Sequence, residues 1–166
     1  MAAPLFIRKT TMIVETNGAD YAALLLGRAP RHFTLADTEV APIAILQMLA
    51  DLAARVGEGF APASWLIVEA GEVVGLCSIT RPPSEGVIDI GYGIAPSRQG
   101  RGHASQAVRD VVAWARADSR VQAITAETST ENLASQAVLA NAGFIRVGER
   151  VDVEDGPLLC WRCVTG

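Results

Sequence analysis

The chain has 166 residues, half of them hydrophobic and 19% charged, which suits one domain with a sizeable core and excludes a disordered chain. Its formal net charge is −4 and its basic residues are scattered, so there is no electrostatic footprint for nucleic acid. No apolar run approaches the roughly 18–20 residues of a membrane span, and residues 1–11 lack the apolar segment and cleavage site of a secretory leader. A cytoplasmic protein with no membrane partner is expected.

In chain order, residues 12–15 are a candidate first strand. The apolar run at 21–26, and Ile45, Leu49, Leu52 and Val56 at helical spacing before Gly57, predict two helices with a loop over 27–42. The period then changes. Residues 65–69 and 73–79 read as a hairpin around Ala70-Gly71-Glu72, and Pro82 and Pro83 make 81–86 a loop, since neither supplies a ladder donor. Residues 87–94 read as a strand that Gly91 and Gly93 weaken unless something approaches its backbone closely.

A Gly-rich turn after Pro96 runs straight into an amphipathic helix with Ala104, Ala107, Val108, Val111, Val112 and Ala115 on one face. Residues 121–128 follow as a strand and 132–141 as a short helix stopped at Gly143, and 144–151 with 158–164 form a second hairpin. Helices, an antiparallel meander, then strand and helix in alternation predict a single mixed α/β (α+β) domain over residues 1–166, not a regularly doubly wound one.

Residue types narrow the chemistry. Lys9 is the only lysine and lies outside any Gly-rich context, which excludes a Walker A loop and disfavours Schiff-base catalysis. His32, His103 and three cysteines assemble no convincing zinc site, so no metal is expected. Cys160-Trp161-Arg162-Cys163 has redox spacing but lies in a strand-like run, away from a helix N-terminus that would stabilise a thiolate.

The informative segment is Gln99-Gly100-Arg101-Gly102-His103-Ala104-Ser105, where a strand gives way to a helix. Backbone N–H groups are unpaired at a helix start and the helix dipole is positive there, so an anion is favoured. The glycines admit a phosphate close to the backbone, and small Ala104 and Ser105 keep the first turn open. The alternative is a turn that binds nothing. A dinucleotide-binding fingerprint fits less well: its third small position would be Ser105, and the segment follows an antiparallel meander instead of the opening strand of a parallel sheet.

Read as Q-x-x-G-x-A, the string Gln99-Gly100-Arg101-Gly102-His103-Ala104 resembles the acyl-CoA pyrophosphate motif of the GNAT superfamily of N-acetyltransferases. Asn132-Leu133-Ala134-Ser135 with Gly143-Phe144 resembles the second motif of that family, and Ile90-Gly91-Tyr92-Gly93-Ile94 its fourth strand. The resemblance covers residues 65–144, about half the chain, and its wording is most similar to the branch containing ribosomal-protein alanine and serine N-terminal acetyltransferases. It implies a mixed, mostly antiparallel sheet of six to seven strands, splayed between the fourth strand and the next, with helices on both faces. The pantetheine arm of acetyl-CoA would lie in that gap, Gly91 and Gly93 permitting a bulge, the Ile94 backbone and Asn132 contacting the arm, and residues 1–62 supplying much of the acceptor side.

Transfer from a thioester to an amine needs a base for the amine proton, a polarised carbonyl and a proton for the departing thiolate. Glu127, five residues before Asn132, matches a catalytic glutamate of some members and is the first candidate base; Asp89 and solvent are its competitors. Many relatives carry a tyrosine acid seven residues after the motif asparagine, where this chain has Leu139. Ser135 is the candidate replacement, with Tyr92 an alternative, while His103 is expected beside the phosphate or on the surface. The expected activity is acetyl transfer from acetyl-CoA to a primary amine of a small molecule or a protein N-terminus. A non-catalytic acyl-CoA-binding domain and a dinucleotide-binding oxidoreductase are the alternatives. The C-terminal hairpin with Trp161 either closes the core or forms a homodimer surface.

Overall fold

The computed structural model describes residues 11–166, so Lys9 and the rest of residues 1–10, read above as lacking a leader, lie outside the described residues. The elements in order are β1 (Thr11–Glu15), α1 (Gly18–Leu25), β2 (Thr34–Leu35), α2 (Ile43–Gly57), β3 (Ser64–Glu69), β4 (Glu72–Ile79), β5 (Val87–Ile94), α3 (His103–Ala117), β6 (Ala123–Ser129), α4 (Leu133–Asn141), β7 (Ile145–Asp152) and β8 (Gly156–Val164). Seven strands lie in the order β1-β3-β4-β5-β6-β8-β7, and β2 adds an eighth beside β4. That is one more strand than the six to seven expected. Thr34 and Leu35 lie in the stretch expected to be loop, and they pair in parallel with Glu72 and Val73.

Two apolar layers follow from the period of two along each strand. Leu66, Val68, Val73 and Leu76 pack with Tyr21, Leu24 and Leu46 under α1 and α2. Trp65, Ile67, Cys77, Ile88, Ile90 and Ile124 pack on the other side against Ala107, Val108, Val111, Val112 and Ala115 of α3. Full burial of each such Val, Leu or Ile is worth roughly 1.5–3 kcal/mol relative to exposure. Asn17 begins α1 with a capping box, its side chain accepting from the Asp20 N–H while Asp20 accepts from the Asn17 N–H. Gly143, at φ +95°, follows α4 as expected of a stop.

The feature that positions the site is the one parallel pairing between long neighbouring strands. β5 and β6 are in register from Val87↔Ala123 to Ile90↔Ala126, and there the pairing ends. Gly91 to Ile94 and Glu127 to Ser129 continue without each other, so the sheet opens into a cleft. Thr80 N–H donates to the Asp89 carbonyl and Ala95 N–H to the Val74 carbonyl, which places the odd-numbered backbone groups of β5 toward β4. By alternation, the backbone groups of Tyr92 and the Ile94 N–H face the cleft.

The bulge expected at Gly91 and Gly93 is not there. The β4–β5 register runs unbroken from Gly75↔Ile94 to Ile79↔Ile90, and the irregularity lies between β3 and β4 at Ile67/Val68. The close backbone approach belongs to Gly75, where a Cβ would sit 2.2 Å from the Gly93 carbonyl oxygen. In the second hairpin Trp161 packs into the core and donates from Nε1 to Thr128 Oγ1, while Ile145, Val147, Val151 and Val153 of the same hairpin stay exposed. Cys163 enters the α3-side core while Cys160 is only half-buried, and both are free thiols.

Candidate active site

At the mouth of the cleft, Pro96–Arg98 form a single 3-10 turn, and the chain then passes through Gly100 and Gly102, at φ +75° and +82°, into α3. These left-handed conformations explain the two glycines better than space does, since a Cβ at either would meet nothing within 4 Å. The N–H groups of Gly100, Arg101, Gly102, Ala104 and Ser105 have no acceptor among the described residues. They form an open cradle of donors at the positive end of a 15-residue helix.

A cavity of about 490 Å³ runs from this cradle into the cleft. Tyr92, Ile94, Gln99, Gly100, Gly102, His103, Ala104, Ser105, Asn132 and Ser135 all line it. Of the loop residues named from the sequence, Arg101 alone does not, its exposed side chain lying outside the cavity. Arg98 lines it instead, although the motif gave no reason to choose it; Glu72 at 2.6 Å and Asp37 at 3.2 Å hold its guanidinium and keep it firmly protonated. Gln99 donates from Nε2 to the Ile94 carbonyl at 3.0 Å, tying the loop to the end of β5. Asn132 Oδ1 accepts from the Ser135 N–H at 3.0 Å and caps α4, which fixes the amide while leaving its NH₂ to the cavity.

His103 is not a surface residue. It is 4% exposed, with Nδ1 2.9 Å from Thr11 Oγ1, whose hydroxyl also donates to Glu69. The imidazole therefore ties α3 to β1, and what it offers the cavity is the start of its helix. Leu139, at the position where relatives carry an acid, is fully buried in the core and unable to meet a sulfur. Tyr92 Oη lies 2.7 Å from Ser135 Oγ across the cleft. Burial pushes the Tyr92 phenol above its ordinary value, so it stays protonated and able to donate at neutral pH.

The two candidate carboxylates do not line this cavity: alternating with Ile88, Ile90, Ile124 and Ala126 of the α3-side core, they lie on the other face of the sheet, and they differ sharply. Both oxygens of Asp89 are occupied: Thr80 donates to Oδ2, Thr125 donates to Oδ1 at 2.6 Å, and Arg81 approaches Oδ1 at 3.5 Å. Glu127 is the first β6 residue beyond the last rung to β5. Arg150 grips it by Oε2 alone, at 2.9 and 2.7 Å, and Oε1 has no partner among the described residues.

A second cavity of about 460 Å³ lies under α2 on this face and shares Tyr92 and Gly93 with the first. The two therefore meet at the cleft, one bordered by phosphate-type donors and the other by apolar side chains. Among the described residues no group of three or more His, Cys, Asp or Glu is arranged to hold a metal ion, and no helix is long and apolar enough to cross a membrane.

Residues 18–145 match the family model described as an acetyltransferase (GNAT) domain. A relative from Bacillus subtilis (strain 168), the uncharacterized N-acetyltransferase YjdG, is 35% identical over 85 residues, covering 49% of this chain and 51% of the relative. The chain thus matches about half the length of that relative. Among solved structures, a ribosomal L7/L12 alpha-N-protein acetyltransferase, RimL, in complex with coenzyme A superposes with TM-score 0.71 at 19% identity over 93% of this chain and 94% of the other. The aminoglycoside acetyltransferase AAC(6')-Ib in complex with coenzyme A and kanamycin gives TM-score 0.67 at 18% identity over 93% and 95%. A GNAT-family acetyltransferase from Bacillus anthracis gives 0.67 at 15% over 97% and 99%.

Proposed function

The chain belongs to the GNAT acetyltransferase family, and from that premise we propose that it transfers an acetyl group from acetyl-CoA directly to a primary amine. The observation that carries the reading is the junction of a donor cradle with a splayed pair of parallel strands, whose unpaired backbone edge runs from the cradle to the meeting point of two cavities. Acetyl-CoA supplies the activated acyl group. Its pyrophosphate suits the N–H groups of residues 100–105, with Arg98 and the Asn132 amide beside it. The Tyr92 backbone and the Ile94 N–H offer strand-like hydrogen bonds to a pantetheine amide.

An alkylamine with a pKa near 10 is mostly protonated at neutral pH, so a proton must leave before attack. Glu127 is the base in this reading, taking that proton on Oε1, directly or through water, while Arg150 holds Oε2. Asp89, saturated by two hydroxyls and a guanidinium, is a scaffold that orients β4, β5 and β6. The pair Tyr92–Ser135 lies where a departing thiolate would emerge and supplies its proton, Ser135 directly or Tyr92 through Ser135. The acyl group passes from sulfur to nitrogen without an enzyme-bound intermediate.

The test is release of free thiol from acetyl-CoA on addition of primary amines, with the acetylated amine identified by mass. One thiol per acetylated amine is expected, together with a loss of about a hundredfold in kcat when Tyr92→Phe and Ser135→Ala are combined. Tight acetyl-CoA binding with no amine-dependent thiol release would instead make the chain a non-catalytic acyl-CoA-binding domain.

A further inference from the structure

The cavity under α2 carries a chemical signature of its own. Its walls are the apolar side chains of Ile45, Met48, Leu49 and Leu76, and Tyr92 and Gly93 open it to the cleft. No carboxylate lines it. Arg55, in the last turn of α2, is the one charged residue on its wall, and this exposed guanidinium makes no hydrogen bond or ion pair with any described residue. None of the acidic residues nearby faces into it: Asp51 of α2 lines a different cavity and accepts from Gln47, Asp89 is saturated, Glu127 lies at the apex of the cleft, Glu39 lines two other cavities, and Glu58 caps the end of α2 outside the lining. A polycationic amine would find here one repelling charge and no counter-charge for its remote ammonium groups.

Resting on the acetyltransferase reading above, we propose that the acceptor is an α-amino acid with a large apolar side chain. Its side chain occupies the apolar wall of α2, its carboxylate pairs with Arg55, and its amine is directed through Tyr92 and Gly93 to the cleft. The volume of about 460 Å³ accommodates one such molecule. In the reaction the amine nitrogen forms the new C–N bond to the acetyl carbon as the C–S bond breaks. The ammonium gives one proton to Glu127 before attack, and the second proton lost from nitrogen as the C–N bond forms replaces the one that the Tyr92–Ser135 pair gives to the departing thiolate, leaving an N-acetylamino acid and CoA.

Binding to this cavity is measurable without acetyl-CoA, which separates this inference from the activity on which it rests. Calorimetric titration at about pH 6, below the α-amino pKa, would compare L-phenylalanine, L-phenylalaninamide, glycine and spermidine on the wild-type protein and Arg55→Gln. The expected result is phenylalanine bound about three- to fivefold tighter than its amide, with glycine and spermidine weaker still, and that ratio reduced to about one in Arg55→Gln. Arg55 is exposed, so the variant should fold. Equal binding of acid and amide by the wild type, a ratio that survives Arg55→Gln, or a preference for spermidine would each overturn the proposal. Phenylalanine binding that follows this pattern in a protein that does not bind acetyl-CoA would leave the pocket assignment standing and refute the transferase reading instead.

Discussion

Arg150 holds Glu127 by one carboxylate oxygen, whereas Thr80, Thr125 and Arg81 hold Asp89 by both, so the same isosteric change has different consequences at the two residues. Glu127→Gln should lower kcat about a hundredfold at neutral pH, the scale of a lost general base, with the acetyl-CoA Kd and the melting temperature almost unchanged. Asp89→Asn sets an amide where two hydroxyls donate, and should cost about 1–3 kcal/mol of stability while the activity per folded molecule changes little. Chemical denaturation and steady-state rates of the two variants check both statements together. A catalytic loss confined to Asp89→Asn would move the base to β5. The sequence allowed both carboxylates because each lies on a strand bordering the gap; which oxygen is free depends on residues far along the chain, and spacing does not report that.

At the scale of elements, the cleft depends on how closely β4 approaches β5. A Cβ at Gly75 would lie 2.2 Å from the Gly93 carbonyl, whereas one at Gly93 would meet nothing within 4 Å. Gly75→Ala should therefore destabilise the fold by about 1–3 kcal/mol, as over-packing against backbone does, and loosen acetyl-CoA binding by displacing the edge that faces the cleft. Gly93→Ala should fold normally. A urea titration of both variants tests the contrast, and equal midpoints would contradict it. The sequence singled out Gly91 and Gly93 because they interrupt a strand, yet the tight contact belongs to Gly75, a glycine inside an otherwise apolar run whose partner was set by register. Most elements were legible because their periods are clean, as in α3 with its Ala107, Val108, Val111 and Val112 face. The two-residue β2 was not, since Thr34 and Leu35 have no period and are strand only by pairing with β4. The cradle was legible as a local motif, while Arg98 was invisible because Glu72 and Asp37 fix it from distant parts of the chain.

For the whole molecule, burial sets how stability responds to alkali. The Cys77 thiol, inside the sheet core, is pushed up to about 12 by desolvation, and burial also raises Tyr21 and Tyr92. Each group holds its proton more tightly folded than unfolded. The resulting stabilisation is complete below the ordinary thiol pKa of about 9 and is lost as pH rises from there toward about 12. The urea midpoint should stay level from pH 7 to 8 and fall above pH 9, and Cys77→Val should make that fall shallower; a midpoint independent of pH up to 11 would contradict this.

The central claim, that the cleft and the cradle at its mouth receive an acyl-CoA, is tested most directly by calorimetric titration of the folded protein with acetyl-CoA and, as control, NAD. The account predicts a Kd around the micromolar range, about −8 kcal/mol, with no heat from NAD, and a loss of tenfold or more in Gly102→Val, where the new side chain crowds the donors at the start of α3. No acetyl-CoA binding by protein that is demonstrably folded, or equal binding of NAD, would contradict it, and the roles given to Glu127, Tyr92 and Ser135 would fall with it.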